Sequence, residues 1–201
     1  PPDEFLKVAA SVPLVAEPGT AWRYSMSLDV LGLVIERASG AKSFADFMQE
    51  RVFDPIGMTS SYFQVPQSEQ HRLTSNYGLV AGMPLPIDPA GNSAYFDPPA
   101  FAFGGSGLVC TPADYDKFLM MIANGGMVGG KRVMGAAAVA LGCTDLIPDG
   151  IDLKGTFVEG AGHGAGGRVG KGADAGTFGW AGAAGTVGFV STRIGLRAGV
   201  Y

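Results

Sequence analysis

Charge is scarce in this chain. Only 16% of its 201 residues are charged, 14 Lys plus Arg against 18 Asp plus Glu, and the net charge of −4 comes without a basic block. A nucleic-acid binder carries a basic patch or stripe, so no nucleic-acid partner is expected. Cysteine and histidine are equally rare, two of each, and Cys110 and Cys143 stand 33 positions apart with no C-x-x-C spacing. Neither a disulfide framework nor a zinc signature is present, no metal or cofactor is expected, and both cysteines read as buried small apolar residues. No run reaches the ~20 consecutive apolar residues of a membrane span, and no basic flank followed by an apolar core marks a signal peptide. A small-molecule substrate fits this composition best; oligomeric state and compartment, cytoplasmic or periplasmic, stay open.

What the chain does have is hydrophobic content, 47%, and glycine, 32 of 201 residues. The first is enough for a well-buried core; the second is more than twice the ~7% average without collagen's period, and calls for a loop-rich fold or close backbone approaches. The sequence opens on Pro1-Pro2 and stops at Val200-Tyr201 inside an apparent strand. Residues 1–201 are therefore expected to be an incomplete single domain, continued at both ends.

Three helices are announced. In SLDVLGLVIERASG, Leu28, Leu31, Val34, Ile35 and Ala38 recur at helical spacing, with Ser27 as N-cap and Gly40 just past the end. A second helix starts at the N-cap Ser43, buries Phe44, Phe47 and Met48, and should stop before Pro55, because proline disfavours helical geometry in the residue before it. The PIGM turn, Pro55 to Met58, follows. Residues 64–100 show no sustained period and read as a long irregular surface excursion. The third helix has Thr111 as N-cap, Pro112 at its first position and Asp114 at its third, with Tyr115, Phe118, Leu119 and Ile122 as its buried stripe. Past Gly160 the pattern changes to short β-prone runs, GTFGW, GTVGFVST and GLRAGVY. The predicted fold is α+β, helices packed on an antiparallel sheet.

Several motif matches fail in context. Gly162, Gly164 and Gly167 spell G-x-G-x-x-G, but no helical period follows. Ser39 and Lys42 spell S-x-x-K across Gly40, which ends the preceding helix and keeps the two side chains off one face. GGSGL around Ser106 lacks the final glycine of a nucleophile elbow. Two segments carry more. Tyr24 closes a turn just before a helix, where its ring is either held with the hydroxyl in a cleft or packed as a core tyrosine. In GTFGWAGAAGT, small residues after Trp180 let a ligand lie on the strand, within reach of a backbone N–H such as that of Ala183; alternatively this is a glycine-kinked strand with Trp180 as core filler.

Taken in order, PGTAWRYSMSLDVLGLVIERASG, the PIGM turn, FGGSGLVCTPADYDKFLMMIANGG and GTFGWAGAAGT resemble successive blocks of the serine β-lactamase-like family, which includes class C β-lactamases, D-alanyl-D-alanine peptidases and family VIII carboxylesterases. The resemblance runs from about Pro18 to Tyr201. It implies the β-lactamase/transpeptidase-like fold and an acyl-enzyme mechanism. Tyr24 matches the tyrosine of the family's Tyr-x-Asn box, which works with the lysine of S-x-x-K as general base and proton relay. Trp180, Ala181 and Gly182 fall on its Lys-Thr-Gly box, a substrate-binding element. Ala183 matches the residue whose N–H forms half of the oxyanion hole, the nucleophilic serine's N–H being the other half. That serine and its lysine are expected upstream of Pro1, so these residues alone are expected to be inactive.

Two departures bear on substrate. Ser25 and Met26 follow the box tyrosine, so the asparagine is lost, and Trp180 replaces the lysine that pairs with a β-lactam or peptide carboxylate. A Trp-x-Gly box resembles the family VIII esterases, which makes neutral carboxylic esters the expected substrates. A β-lactamase or D-alanyl-D-alanine peptidase activity is the near alternative. A catalytically dead homologue serving binding or assembly is the alternative of another class.

Overall fold

A computed structural model describes residues 1–201. An N-terminal helix, α1 (Pro2–Ser11), precedes α2 (Ser27–Ser39), α3 (Phe44–Met48) and the single turn α4 (Asp54–Ile56). β1 (Ser61–Tyr62) leads to the hairpin β2 (Asn76–Val80) and β3 (Met83–Asp88), and β4 (Val109–Cys110) returns to pair with β1. Then come α5 (Pro112–Ala123), the small hairpin β5 (Met127–Val128) and β6 (Lys131–Arg132), and α6 (Ala136–Gly142). The C-terminal fifth builds a five-stranded antiparallel sheet from β7 (Gly162–His163), β8 (Arg168–Val169), β9 (Thr177–Ala181), β10 (Val187–Ser191) and β11 (Leu196–Val200), in the spatial order β11-β10-β9-β8-β7.

Helices packed on an antiparallel sheet are what the sequence predicts. The core lies where α5 crosses β10: Leu119, Met121 and Ile122 meet Val190, Phe53, Val139 and the PIGM side chains Ile56 and Met58. Thr111 caps α5 by accepting from the Asp114 N–H at 3.3 Å, and Asn124 ends it. The stripe is rotated from its predicted line, with Met121 fully buried and Tyr115 and Phe118 only partly so. Gly188 on β10 allows this packing, since a Cβ there would sit 2.3 Å from the Tyr115 ring.

Four local expectations need correction. Ser27 is the first residue of α2 rather than its cap, and Leu31 and Val34 are about half exposed while Gly32 and Leu33 are buried. The helix turns its glycine inward because the FGGSG segment packs there, so closely that a Cβ on Gly104 would lie 2.2 Å from the Leu28 carbonyl oxygen. The chain does not leave helical geometry before Pro55: a π-turn over Gln49–Phe53 feeds α4, where Pro55 sits in the first turn and its missing N–H is not needed. Residues 64–100 contain β2 and β3, joined through Ala81 and Gly82, both at positive φ (51° and 81°), a turn whose Ala-Gly sequence lacks the usual Asn-Gly signal. Finally, both cysteines are half-buried and free rather than fully buried. Burial pushes the Cys110 thiol up to about 11, so it stays a neutral side chain.

Candidate active site

β8 pairs with β9 only through Phe178 and Gly179. From Trp180 onward the outer edge of β9 is therefore unpaired on that side, and the following loop, Gly182 to Thr186, closes tightly: the Gly182 N–H donates to the Thr186 carbonyl at 2.7 Å and the Gly185 N–H to the Gly182 carbonyl at 3.0 Å. Small residues are needed here, since a Cβ on Gly182 would come 2.7 Å from the Thr186 hydroxyl. The Ala183 N–H at the tip of this turn makes no hydrogen bond within the chain. It is a donor without an acceptor on an exposed loop.

Across from this edge stands Tyr24, in the turn that enters α2. The residue is 60% exposed, so within residues 1–201 it is not packed as a core tyrosine. The ring is held by other rings. It stacks on Trp180 (centroids 5.8 Å apart, planes at 21°) and on Trp22 (6.4 Å, 30°), and meets Phe157 edge-on at 5.2 Å. Phe157 comes from the irregular stretch between α6 and β7, anchored by the fully buried Val158 beside it. Tyr24, Trp180, Ala181, Gly182 and Ala183 all line one cleft of about 590 Å3, with Phe157, Phe178 and Phe189 adding to its apolar walls. So the structure brings every predicted site residue to one place, although some 160 positions separate Tyr24 from Ala183.

Arg168 and Asp174 also line this cleft, which charge-poor sequence blocks did not indicate. Arg168 is the cross-strand partner of Gly179, so its side chain leaves the sheet on the face opposite to that of Trp180. No lysine is among the residues that line the cleft. The failed motifs stay failed: Gly40 is left-handed at φ 70°, and the Ser39 hydroxyl is spent on the Glu36 carbonyl. Nor does a helix follow Gly162, Gly164 and Gly167 as a dinucleotide site requires, the next element there being β8. Sequence reasoning missed Trp22 and Phe157, which meet the Tyr24 ring, and His163, which meets Trp22 and Trp180. The W-R-Y spacing was a usable signal for the first.

Residues 1–201 match the family described as Beta-lactamase. An uncharacterized protein of Mycobacterium tuberculosis is 36% identical over 148 residues, 74% of this chain and 36% of that protein. The Lovastatin esterase of Penicillium rubens is 37% identical over 123 residues, 58% of this chain and 30% of the enzyme. The chain thus spans about a third of the length of the curated relatives it matches. Among solved structures, EstCE1, "a hydrolase with promiscuous acyltransferase activity", superposes with a TM-score of 0.83 at 25% identity, covering 99% of this chain and 56% of that one.

Proposed function

The chain belongs to the β-lactamase family, and from that premise we propose that it is part of a longer serine hydrolase that cleaves neutral carboxylic esters. The observation that carries this proposal is the shared cleft of Tyr24 and the unpaired Ala183 N–H. A serine outside residues 1–201 attacks the ester carbonyl. Its proton passes to Tyr24 and a partner lysine, also outside these residues, while the carbonyl oxygen, now negative, accepts from the Ala183 N–H and the serine's own N–H. Collapse of the tetrahedral intermediate breaks the ester C–O bond, and the departing alkoxide takes the proton from Tyr24. Water then attacks the acyl-enzyme by the same route, releasing the acid and restoring the serine. Trp180, where a carboxylate-binding lysine would stand, supports neutral esters over β-lactams and peptides.

Acyl transfer to an alcohol is the second possibility, favoured by the apolar cleft walls and by the activity named for EstCE1. Water and alcohol compete for the same acyl-enzyme, so adding an alcohol during ester turnover separates the two. The nucleophile is tested by phosphonate labelling. A fluorophosphonate should label one serine of the longer protein and none in residues 1–201, and the 201-residue chain should hydrolyse no p-nitrophenyl ester above background. Labelling of Ser39 together with turnover by the short chain would overturn the placement of the nucleophile.

A further inference from the structure

His163 plays no part in the ester chemistry above, yet it closes a cycle of aromatic rings that includes Tyr24. Its imidazole lies 5.4 Å from Trp22 and 5.5 Å from Trp180, centroid to centroid, edge-on in both cases. Trp22 and Trp180 are the only tryptophans in the chain, and both stack on Tyr24. The four rings form a closed cycle, with Tyr24 and His163 at opposite corners.

The two corners differ in how they are held. Tyr24 is exposed, and its hydroxyl makes no hydrogen bond within the chain, so ring contacts alone orient it. His163 sits on fixed backbone. Its N–H donates to Asp145 Oδ1 at 3.0 Å, and its carbonyl accepts from the Leu146 N–H at 2.8 Å. Asp145 is in turn paired with Lys171 at 2.6 Å. On either side, Gly162 and Gly164 run so close to neighbouring chain that a Cβ would lie 2.4 Å from the Asp145 carboxyl carbon and 2.2 Å from the Gly142 carbonyl oxygen. The glycines of the failed G-x-G-x-x-G match therefore serve close packing, and what they hold in place is His163. Burial lowers its pKa against the opposing pull of Asp145, which favours the uncharged ring.

The geometry points to His163 as a positioning residue of the proposed esterase, tying the Trp22 turn to the Trp180 strand so that the Tyr24 hydroxyl stays aimed at a carbonyl on Ala183. This rests on Tyr24 being catalytic. Misplacing a catalytic group by ~1 Å costs on the order of 10²-fold in rate, so a bridge of this kind is visible in kinetics.

The test is single-turnover acylation by p-nitrophenyl butyrate in the longer protein, with near-ultraviolet circular dichroism verifying that each variant folds. His163→Ala should slow acylation by roughly ten- to a hundredfold while leaving ester affinity nearly unchanged. His163→Phe, which keeps a flat ring, should restore most of the rate. In a Tyr24→Phe background, His163→Ala should add little, because the group it positions is gone. Trp22→Leu, which cuts the same bridge elsewhere, should match His163→Ala and decides the matter alone if His163→Phe does not fold. A His163→Phe enzyme as slow as His163→Ala would mean that the imidazole itself moves protons. Full additivity with Tyr24→Phe, or an unimpaired Trp22→Leu, would overturn the positioning role while ester cleavage stands. A silent Tyr24→Phe would instead bring down the ester mechanism itself.

Discussion

A lysine at position 180 would bring an ammonium into the cleft that Ala183 also lines; the indole there stacks on Tyr24 instead. The two side chains favour different substrates. Trp180→Lys should therefore raise kcat/KM for a cephalosporin relative to a neutral ester, since a cation improves transition-state binding only for substrates carrying a carboxylate. The ratio of the two constants, measured before and after the change, is the readout. An unchanged ratio in a folded variant would reduce Trp180 to packing. That Tyr24, Trp180 and Ala183 line one cleft was legible in the sequence because their blocks occur in a fixed order. Phe157 and His163 were not, because ring contacts between residues more than 130 positions apart leave no period in the sequence.

At the scale of elements, α5 shows how a local signal acquires a tertiary role. Thr111-Pro112-Ala113-Asp114 reads correctly as a helix start, but the Asp114 carboxylate does more than an acidic first turn requires. It accepts from the Ser60 N–H at 2.6 Å and the Ser61 hydroxyl at 3.1 Å, and pairs with Lys117 at 2.8 Å, fastening α5 to β1 in a buried position. Burial pushes its pKa up, but Lys117, Ser60 and Ser61 outweigh burial and hold the carboxyl below its ordinary value. A depressed folded pKa stabilises the fold above the unfolded value, and that contribution is lost as pH falls through the folded one. Asp114→Asn should thus cost about 2 kcal/mol at pH 7, and its deficit against the parent should shrink below about pH 4. Urea melts at pH 7 and pH 3 check both statements. The β2–β3 hairpin and the π-turn before Pro55 were illegible for another reason: each depends on backbone torsions that its residue types do not advertise.

On the scale of the molecule, the chain exposes 12414 Å2 of surface. A compact monomer of 20.6 kDa exposes about 8900 Å2. The excess includes apolar side chains on β10 and β11, Val187, Leu196 and Val200, and on the β2–β3 hairpin, Tyr77, Leu79 and Ile87. Uncovered apolar surface of this extent associates in water, so the 201-residue chain should self-associate with rising concentration in light scattering. A monodisperse monomer at millimolar concentration would contradict that. Helix-then-strand order made the overall architecture legible, whereas the cleft depends on loops converging from three distant parts of the chain.

That convergence is put to its most direct test by replacing Tyr24 with phenylalanine in the longer protein and following the pre-steady-state burst of p-nitrophenol from a neutral ester. The ring and its stacking on Trp180 are kept, and only the hydroxyl is removed. The acylation rate should fall by roughly 10² to 10⁴, the usual scale of general acid-base assistance, with thermal stability unchanged. A Tyr24→Phe protein that acylates at the parental rate would contradict the assignment of the cleft as the site where the ester is cleaved.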